Sequence, residues 1–484
     1  MIKINSKLTP QKIAEITGGR YIGQEDFRDI SVHGAVRDHR DVKKDNLFVC
    51  IKGERVDGHD FAAPAYEAGA ACLLCEREIP DGLGPYVLVG STLEAIRTLG
   101  AAYRQMFDIP IIGITGSVGK TTGKEMIAAA LGSRLNVLRT PGNLNNQIGV
   151  PLTLLSLDDT HEAAVIEMGI NHFGDMTVLT QMVMPDIMVL TKIGYAHLDN
   201  LGDLDGVLKA KTEVFDIVDK NAIAVLNGDD ERLWGYDPKI RKITYGFNER
   251  NDYRAENMHV SGTDSVSFRA CLAQESIGQE SAGQKSAAQQ SSGQKSACPE
   301  SFDIKIPGFG AHLTMSAMAA VVVGRLLGIK NEDIARGLTT YAPVGGRANV
   351  SHTGYITLIN DAYNANPNSV RAALESVSVL TGRRVAILGD MINLAEFGDE
   401  MHKEIGICAK HTGIDSLICN GPQAELIYNA FVAEGGIEAR YFKSKEELIK
   451  ELPALIQKDD NVLVKASNGM KFDEIVDVLK ELKS

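Results

Sequence analysis

The stretch "IPIIGITGSVGKTTGKEM", Ile109 to Met126, constrains the fold more than any other. An apolar run ends at a glycine-rich turn, and a helical pattern, "KTTGKEMIAAAL", follows at once. Strand, glycine loop and helix N-terminus in that order commit this part of the chain to an α/β layer and make a phosphate cradle. The spacing is unusual. A glycine commonly stands six residues before the lysine, but that position is Ile114, and the glycines fall at Gly113, Gly116 and Gly119. Even so, the parts fit the task. Glycines turn backbone N–H groups toward phosphate oxygens, and the helix dipole adds positive potential. Lys120 reaches the terminal phosphates and Thr121 can ligate Mg²⁺. The loop reads as a nucleoside triphosphate site.

Apolar runs and helical patterns go on alternating after the loop, in "AAVIEMG", "DIMVLTKI" and "AIAVLN", which predicts a parallel sheet with helices on both faces. A third block from about Tyr341 repeats the scheme in "YITLIND", "RRVAILGD", "DSLICNG" and "NVLVKAS". A chain of 484 residues exceeds one ordinary core. The reading is therefore α/β with three domains at 1–91, 92–341 and 342–484: a small α/β domain, a central P-loop parallel-sheet domain and a C-terminal Rossmann-like domain. Ser91 or Thr92 is expected to cap the helix of "STLEAIRTLGAAYRQM", and Pro367 suits a first helical turn. Residues 274–301 carry serine every fifth position, are polar, and cannot bury a core. They read as a disordered expansion of a hairpin loop between "SVSFRACLA" and "FDIKIPG".

Bulk properties exclude some classes. A net charge of −13 argues against a nucleic-acid partner, which needs a basic face. No apolar run approaches a membrane span, and "MIKINSKLTPQK" lacks a signal core. Seven scattered cysteines include a CxxC at Cys72 and Cys75 with no second Cys or His pair nearby. Buried small hydrophobes in a reducing cytoplasm is the expectation, not zinc or redox chemistry.

Several residues near the loop stand out. Asn143, Asn145 and Asn146 cluster in "TPGNLNNQIGVP", where asparagine and glycine alone would be an ordinary turn. Glu167 ends an apolar strand, a common place for an acid that meets the loop's Mg²⁺, and equally one for a capping or ion-paired carboxylate. His197 follows another strand end and Lys211 falls on a helical pattern. Taken singly, such a histidine is usually structural and such a lysine usually solvated.

Together, "TGSVGKTT", "GNLNNQIGVP", "IEMG", "AHLD", "AKTEVF" and "LNGDD" resemble the Mur ligases, whose loops carry this glycine spacing. "DNLFVCIKGERVDGHDFAAPAYEAGA", "NDAYNANPNSVRAAL", "ILGDM" with His402, and "VLVKASNGMKFDEIV" resemble the member that adds D-alanyl-D-alanine to UDP-N-acetylmuramoyl-tripeptide. The resemblance runs from about residue 30 to 478, without the serine-rich segment. It implies an ATP-dependent, cytoplasmic cell-wall ligase working through an acyl phosphate, with two Mg²⁺ ions and a UDP-binding first domain; the default expectation for its oligomeric state is a monomer. Gly116, Ser117, Val118, Gly119, Lys120, Thr121 and Thr122 would cradle ATP, with Asn227 and Asp361 near the nucleotide and Arg347 at the γ-phosphate. Thr121 and Glu167 would hold one Mg²⁺, and His197 the other together with a carbamylated Lys211. A free ammonium would repel Mg²⁺, whereas a carbamate supplies an anionic oxygen. Asp38, Arg40, Lys52, Asn143, Asn145, Asn146, Asn364 and Asn366 would contact the other substrates.

The match has departures. Leu313 and Ser316 stand where the family usually has asparagines, His39 where a hydroxyl is usual, Asn393 where an acid is expected, and Asn468 where a base is common. Rivals are a ligase adding a single amino acid, a folylpolyglutamate-synthase-like enzyme, a nucleotide-dependent switch or kinase, and a non-catalytic relic. The lysine or diaminopimelate at the acceptor peptide's third position is not written in any of these motifs.

Overall fold

A computed structural model describes residues 8–272 and 300–482. The chain forms two interleaved compact units. One comprises the chain up to Thr115 with Leu135–Val189 and Ala210–Ile223; the other comprises Gly116–Arg134, Leu190–Lys209 and everything from Ala224.

The first unit begins with helix Pro10–Thr17, capped by the Thr9 hydroxyl and ended by Gly18 at φ +65°. Its five-stranded sheet runs in the order Arg20–Ile22, Tyr86–Leu88, Cys72–Cys75, Leu47–Val49, Ala35–Val36, and only the first pair is antiparallel. Phe48, Leu73, Cys75 and Tyr86 pack with Ala62 and Ala65 of helix Ala62–Glu67. Burying a side chain such as Phe48 contributes about 1.5–3 kcal/mol. Cys50, Cys72 and Cys75 are fully buried as small hydrophobes, and burial pushes the Cys72 thiol well above its usual range. Ser91 does cap helix Thr92–Arg104, accepting from the Glu94 N–H at 3.3 Å. Strand Ala163–Glu167 then lies parallel between Ile111–Thr115 and Val137–Arg139. Gly113 belongs to strand Ile111–Thr115, not to the turn. A Cβ there would lie 2.7 Å from Met188 Sδ, so this glycine serves packing.

In the second unit, helix Lys120–Leu131 packs against Leu313–Leu326 and Asn331–Leu338. Strands Tyr253–Ser261, Ser265–Leu272 and Glu300–Pro307 are antiparallel, so the central region is mixed rather than wholly parallel. The hairpin is present. Leu272 pairs with Glu300 and Cys271 with Ser301, so the 274–301 boundary is corrected: Glu300 and Ser301 are strand, held by the ladder. The rest of that segment lies outside the described residues. A six-stranded sheet follows, ordered Asn349–His352, Thr357–Asn360, Asn461–Lys465, Arg384–Gly389, Ser416–Asn420, Glu438–Phe442, and parallel after its first pair. Helices Pro367–Ser378, Gly398–His411 and Ala424–Ala433 cover one face through Leu374, Ile405 and Phe431. Lys445–Leu455 and Asp473–Lys480 cover the other through Leu448, Ile475 and Leu479. Pro367 opens its helix under a capping box between Asn366 and Ser369. This doubly wound sheet is the Rossmann-like third block.

Candidate active site

The glycine turn is shaped by its own backbone and by one neighbouring segment. A Cβ on Gly116 would land on Thr191 Oγ1, which requires glycine there. Gly119 sits at φ +84° as the residue before helix Lys120–Leu131. Ser117 N–H donates to Lys192 O at 2.8 Å, and its hydroxyl donates to Gly194 O at 2.8 Å. Thr191 Oγ1 donates to Val118 O at 2.6 Å. Asn227, expected near the nucleotide, is buried and braces this segment through Nδ2 to Thr191 O at 2.7 Å. Lys120 Nζ lies 2.7 Å from Gly116 O, over the turn. Thr121 is buried, and Thr122 hydrogen-bonds Tyr341, whose hydroxyl burial pushes up to about 12. Helix-start N–H groups, a dipole and an ammonium at one turn suit an anion.

Glu167 is 1% exposed at its strand end, and its Oε1 accepts from Asn145 Nδ2 at 2.8 Å. Its N–H donates to Thr140 Oγ1 at 2.9 Å. Asn146 instead folds its Oδ1 onto the N–H groups of Ile148 and Gly149, and Asn143 is exposed. The structure thus joins Asn145, alone of the three, to the acid. Lys211 is 2% exposed, contrary to the solvated face its helical pattern suggests. His197 takes φ +57° ahead of the short helix Leu198–Leu201. Among the described residues no three His, Cys, Asp or Glu side chains gather as a metal cluster. A set of one threonine, one glutamate, one histidine and one lysine is not such a cluster.

Asp38 and Arg40 bond each other, at 2.9 Å between Nε and Oδ1, and this guanidinium holds the Asp38 carboxyl well below the usual range. His39 stacks on Phe61 at 4.4 Å. Lys52 is exposed, on a bridge to Asp57. In the six-stranded region, Arg347 lies 3.7 Å over the Tyr363 ring, and Asp361 accepts from Lys465 Nζ at 2.6 Å. Asn364 offers its carbonyl to the same lysine at 2.9 Å. Asn366 spends its Oδ1 on the Ser369 N–H as a helix cap. Of the departures, Leu313 is buried, and Ser316 Oγ lies 3.9 Å from where a Gly119 Cβ would be, beside the phosphate turn. Asn468 donates to Tyr363 O, and Asn393 O accepts from the Leu198 N–H.

Thr191, Tyr341 and Lys465 escaped the sequence reading. Only Lys465 left a signal, a lysine closing the apolar run "NVLV".

Comparison with known proteins places the chain in a family. Residues 114–324 match the Mur ligase middle domain, 346–468 the Mur ligase glutamate ligase domain and 31–139 the Mur ligase family catalytic domain. The chain is 34% identical to the UDP-N-acetylmuramoyl-tripeptide–D-alanyl-D-alanine ligase of Bacillus subtilis, covering 98% of this chain and 99% of that protein. A crystal structure of MurF from Acinetobacter baumannii superposes with a TM-score of 0.82 at 28% identity, covering 98% and 99% of the two chains. MurF ligase from Thermotoga maritima in complex with ADP gives 0.77 at 26% identity, covering 93% and 97%. Three family domains in order and a full-length ligase relative leave one conclusion: the chain belongs to the Mur ligase family.

Proposed function

We propose that this protein joins D-alanyl-D-alanine to UDP-N-acetylmuramoyl-tripeptide at the expense of ATP, giving the pentapeptide precursor of peptidoglycan. The observation that carries the reading is the full-length likeness to ligases of that name. The phosphate turn, with Lys120 lying over it, supports the ATP half of the reaction.

A carboxylate is a poor acyl donor. In the proposed sequence its oxygen attacks the γ-phosphorus of ATP, ADP leaves, and an acyl phosphate forms. The dipeptide amine then attacks the acyl carbon, and phosphate leaves from the tetrahedral intermediate. Lys120 and the N–H groups of Gly116 to Thr122 hold the transferred phosphoryl group, and Arg347 neutralises charge on it. Asn227 and Asp361 belong to the nucleotide side in this reading. Thr121 and Glu167 are the proposed holders of one Mg²⁺, and His197 with a carbamylated Lys211 those of a second. Mg²⁺, when bound, supplies charge neutralisation at the phosphates. The donor set suits it: a hydroxyl and a carboxylate are hard oxygens, and a carbamate on Lys211 would add another anionic oxygen. Asn145 orients Glu167, with Asn143 and Asn146 toward the sugar–peptide. Asp38, Arg40 and Lys52 face UDP, and Asn364 and Asn366 the third-domain substrate. The boundaries 1–91, 92–341 and 342–484, a monomeric state and a cytoplasmic site of action belong to the same proposal.

Phosphate release from ATP with UDP-N-acetylmuramoyl-tripeptide, with and without the dipeptide, tests it, with products read by mass. Dipeptide-dependent release and a pentapeptide product are expected. Release that responds to a single amino acid instead would reassign the nucleophile.

A further inference from the structure

We propose that Lys465 is a positioning residue: it fixes the Asp361 carboxylate, and through it the strained turn that aims Arg347. The inference rests on the reading of Arg347 as the γ-phosphate contact.

Lys465 closes strand Asn461–Lys465 with its side chain 2% exposed. An ammonium so buried must find partners. It has three donors, and its three acceptors all lie on one turn: Asp361 Oδ2 at 2.6 Å, Asn364 O at 2.9 Å and Asp361 O at 3.5 Å. The ammonium is thus committed to the protein. The other carboxylate oxygen, Asp361 Oδ1, accepts from the Ala348 N–H at 3.1 Å.

Ala348 is the unusual residue here. It sits at φ +54°, after Gly345 at +57° and Gly346 at +65°. Glycine takes that region freely, whereas alanine is strained there and stays only where its surroundings hold it. The bond from Asp361 is such a hold. Arg347, one residue earlier, is pinned as well. Its N–H donates to Asn349 Oδ1 at 2.9 Å, and its guanidinium stacks 3.7 Å over Tyr363. The Tyr363 N–H in turn donates to Gly346 O at 3.1 Å. Lys465, Asp361 and Ala348 therefore form a chain of contacts whose far end is the backbone of the arginine. Without the lysine, the carboxylate loses its aim and the turn its clamp.

The test compares Lys465→Met, Arg347→Ala, the double variant and Lys465→Arg, reading kcat, KM for ATP and the dissociation constant of ADP. Displacing a charge by about 1 Å costs on the order of 100-fold, so Lys465→Met is expected to lower kcat about 10- to 100-fold. ADP lacks the γ-phosphate and reports only the Asp361 side, so its dissociation constant should rise by no more than about three-fold, far less than kcat falls. The double variant should be no slower than Arg347→Ala alone. Weaker ADP binding in step with kcat, or additive losses in the double variant, would overturn the proposal. Should Lys465→Met fail to fold, Lys465→Arg decides, since it keeps the charge but not the three-way ammonium geometry: a roughly 3- to 10-fold lower kcat at an unchanged melting temperature supports the clamp, and an unchanged kcat overturns it. An unaffected Arg347→Ala would instead sink the role given to that arginine, a failure distinguishable from the failure of the clamp.

Discussion

Two turns, 116–119 and 345–348, are assigned to the same phosphate group, yet they are built by opposite means. In the first, both positive-φ positions, Gly116 and Gly119, are glycines, and the supports come from the adjacent strand end at Thr191, Lys192 and Gly194. The second places an alanine at φ +54° and depends on Asp361, 13 residues on, and on a lysine 104 residues beyond that. One turn stores no alanine strain and carries its shape in its own letters. The other is held by distant side chains, and it stands or falls with them.

The largest expected effect sharpens the first turn's role. Lys120→Ala should lower dipeptide-dependent phosphate release roughly 10²- to 10³-fold with an unchanged melting temperature, as for removal of one preorganised donor. An undiminished rate would detach this turn from the chemistry. Gly116→Ala comes next. Its Cβ would meet Thr191 Oγ1 and come within 3.1 Å of the Lys192 nitrogen, so forced repacking should cost about 1–3 kcal/mol, read by denaturant unfolding. Gly345→Ala isolates the other mechanism. No atom lies within 4 Å of its Cβ position, so the left-handed backbone alone should cost about 1 kcal/mol. Equal losses at the two glycines would erase the distinction between a crowded turn and a strained one.

The smallest effect is in pH. Burial pushes His402, fully enclosed in helix Gly398–His411, below its ordinary value, opposed by its bond to Gly398 O and by the Asp390 and Asp399 charges. The unfolded chain therefore takes up the proton first as pH falls. The stability from a neutral His402 is full above about pH 6.5 and is lost as pH drops from there through the lower folded value. Melting curves of the parent should fall across that window, and His402→Gln should flatten the slope. An identical slope in the variant would remove His402 as its source.

Legibility followed locality. The strand before Gly116, the Ser91 cap, the Pro367 helix start and the hairpin around the serine-rich segment were readable, because each is decided by a few adjacent residues. Glu167 was found at its strand end, but its donor Asn145 emerged from three equivalent asparagines only when the turn was folded. Lys211 taken singly reads as solvated, because helical periodicity counts charge and not surroundings, and only the family resemblance pointed it to a site. Asn366 and Asn146 were named for substrates, and both carry local backbone caps that a string of asparagines does not disclose. The Lys465 contact spans too much sequence for any pattern to join.

Thiols offer a way to watch the sheets come apart one at a time. Cys50, Cys72 and Cys75 are sealed in the five-stranded sheet region, Cys271 lies in the central hairpin, and Cys419 in the six-stranded sheet, each no more than 1% exposed. Cys408 is half-buried and should alkylate first among the described cysteines. The others are shielded from reagent until their own strands open. Pulsed alkylation with peptide mass readout would give each sheet its own opening clock, with no label introduced and no residue changed.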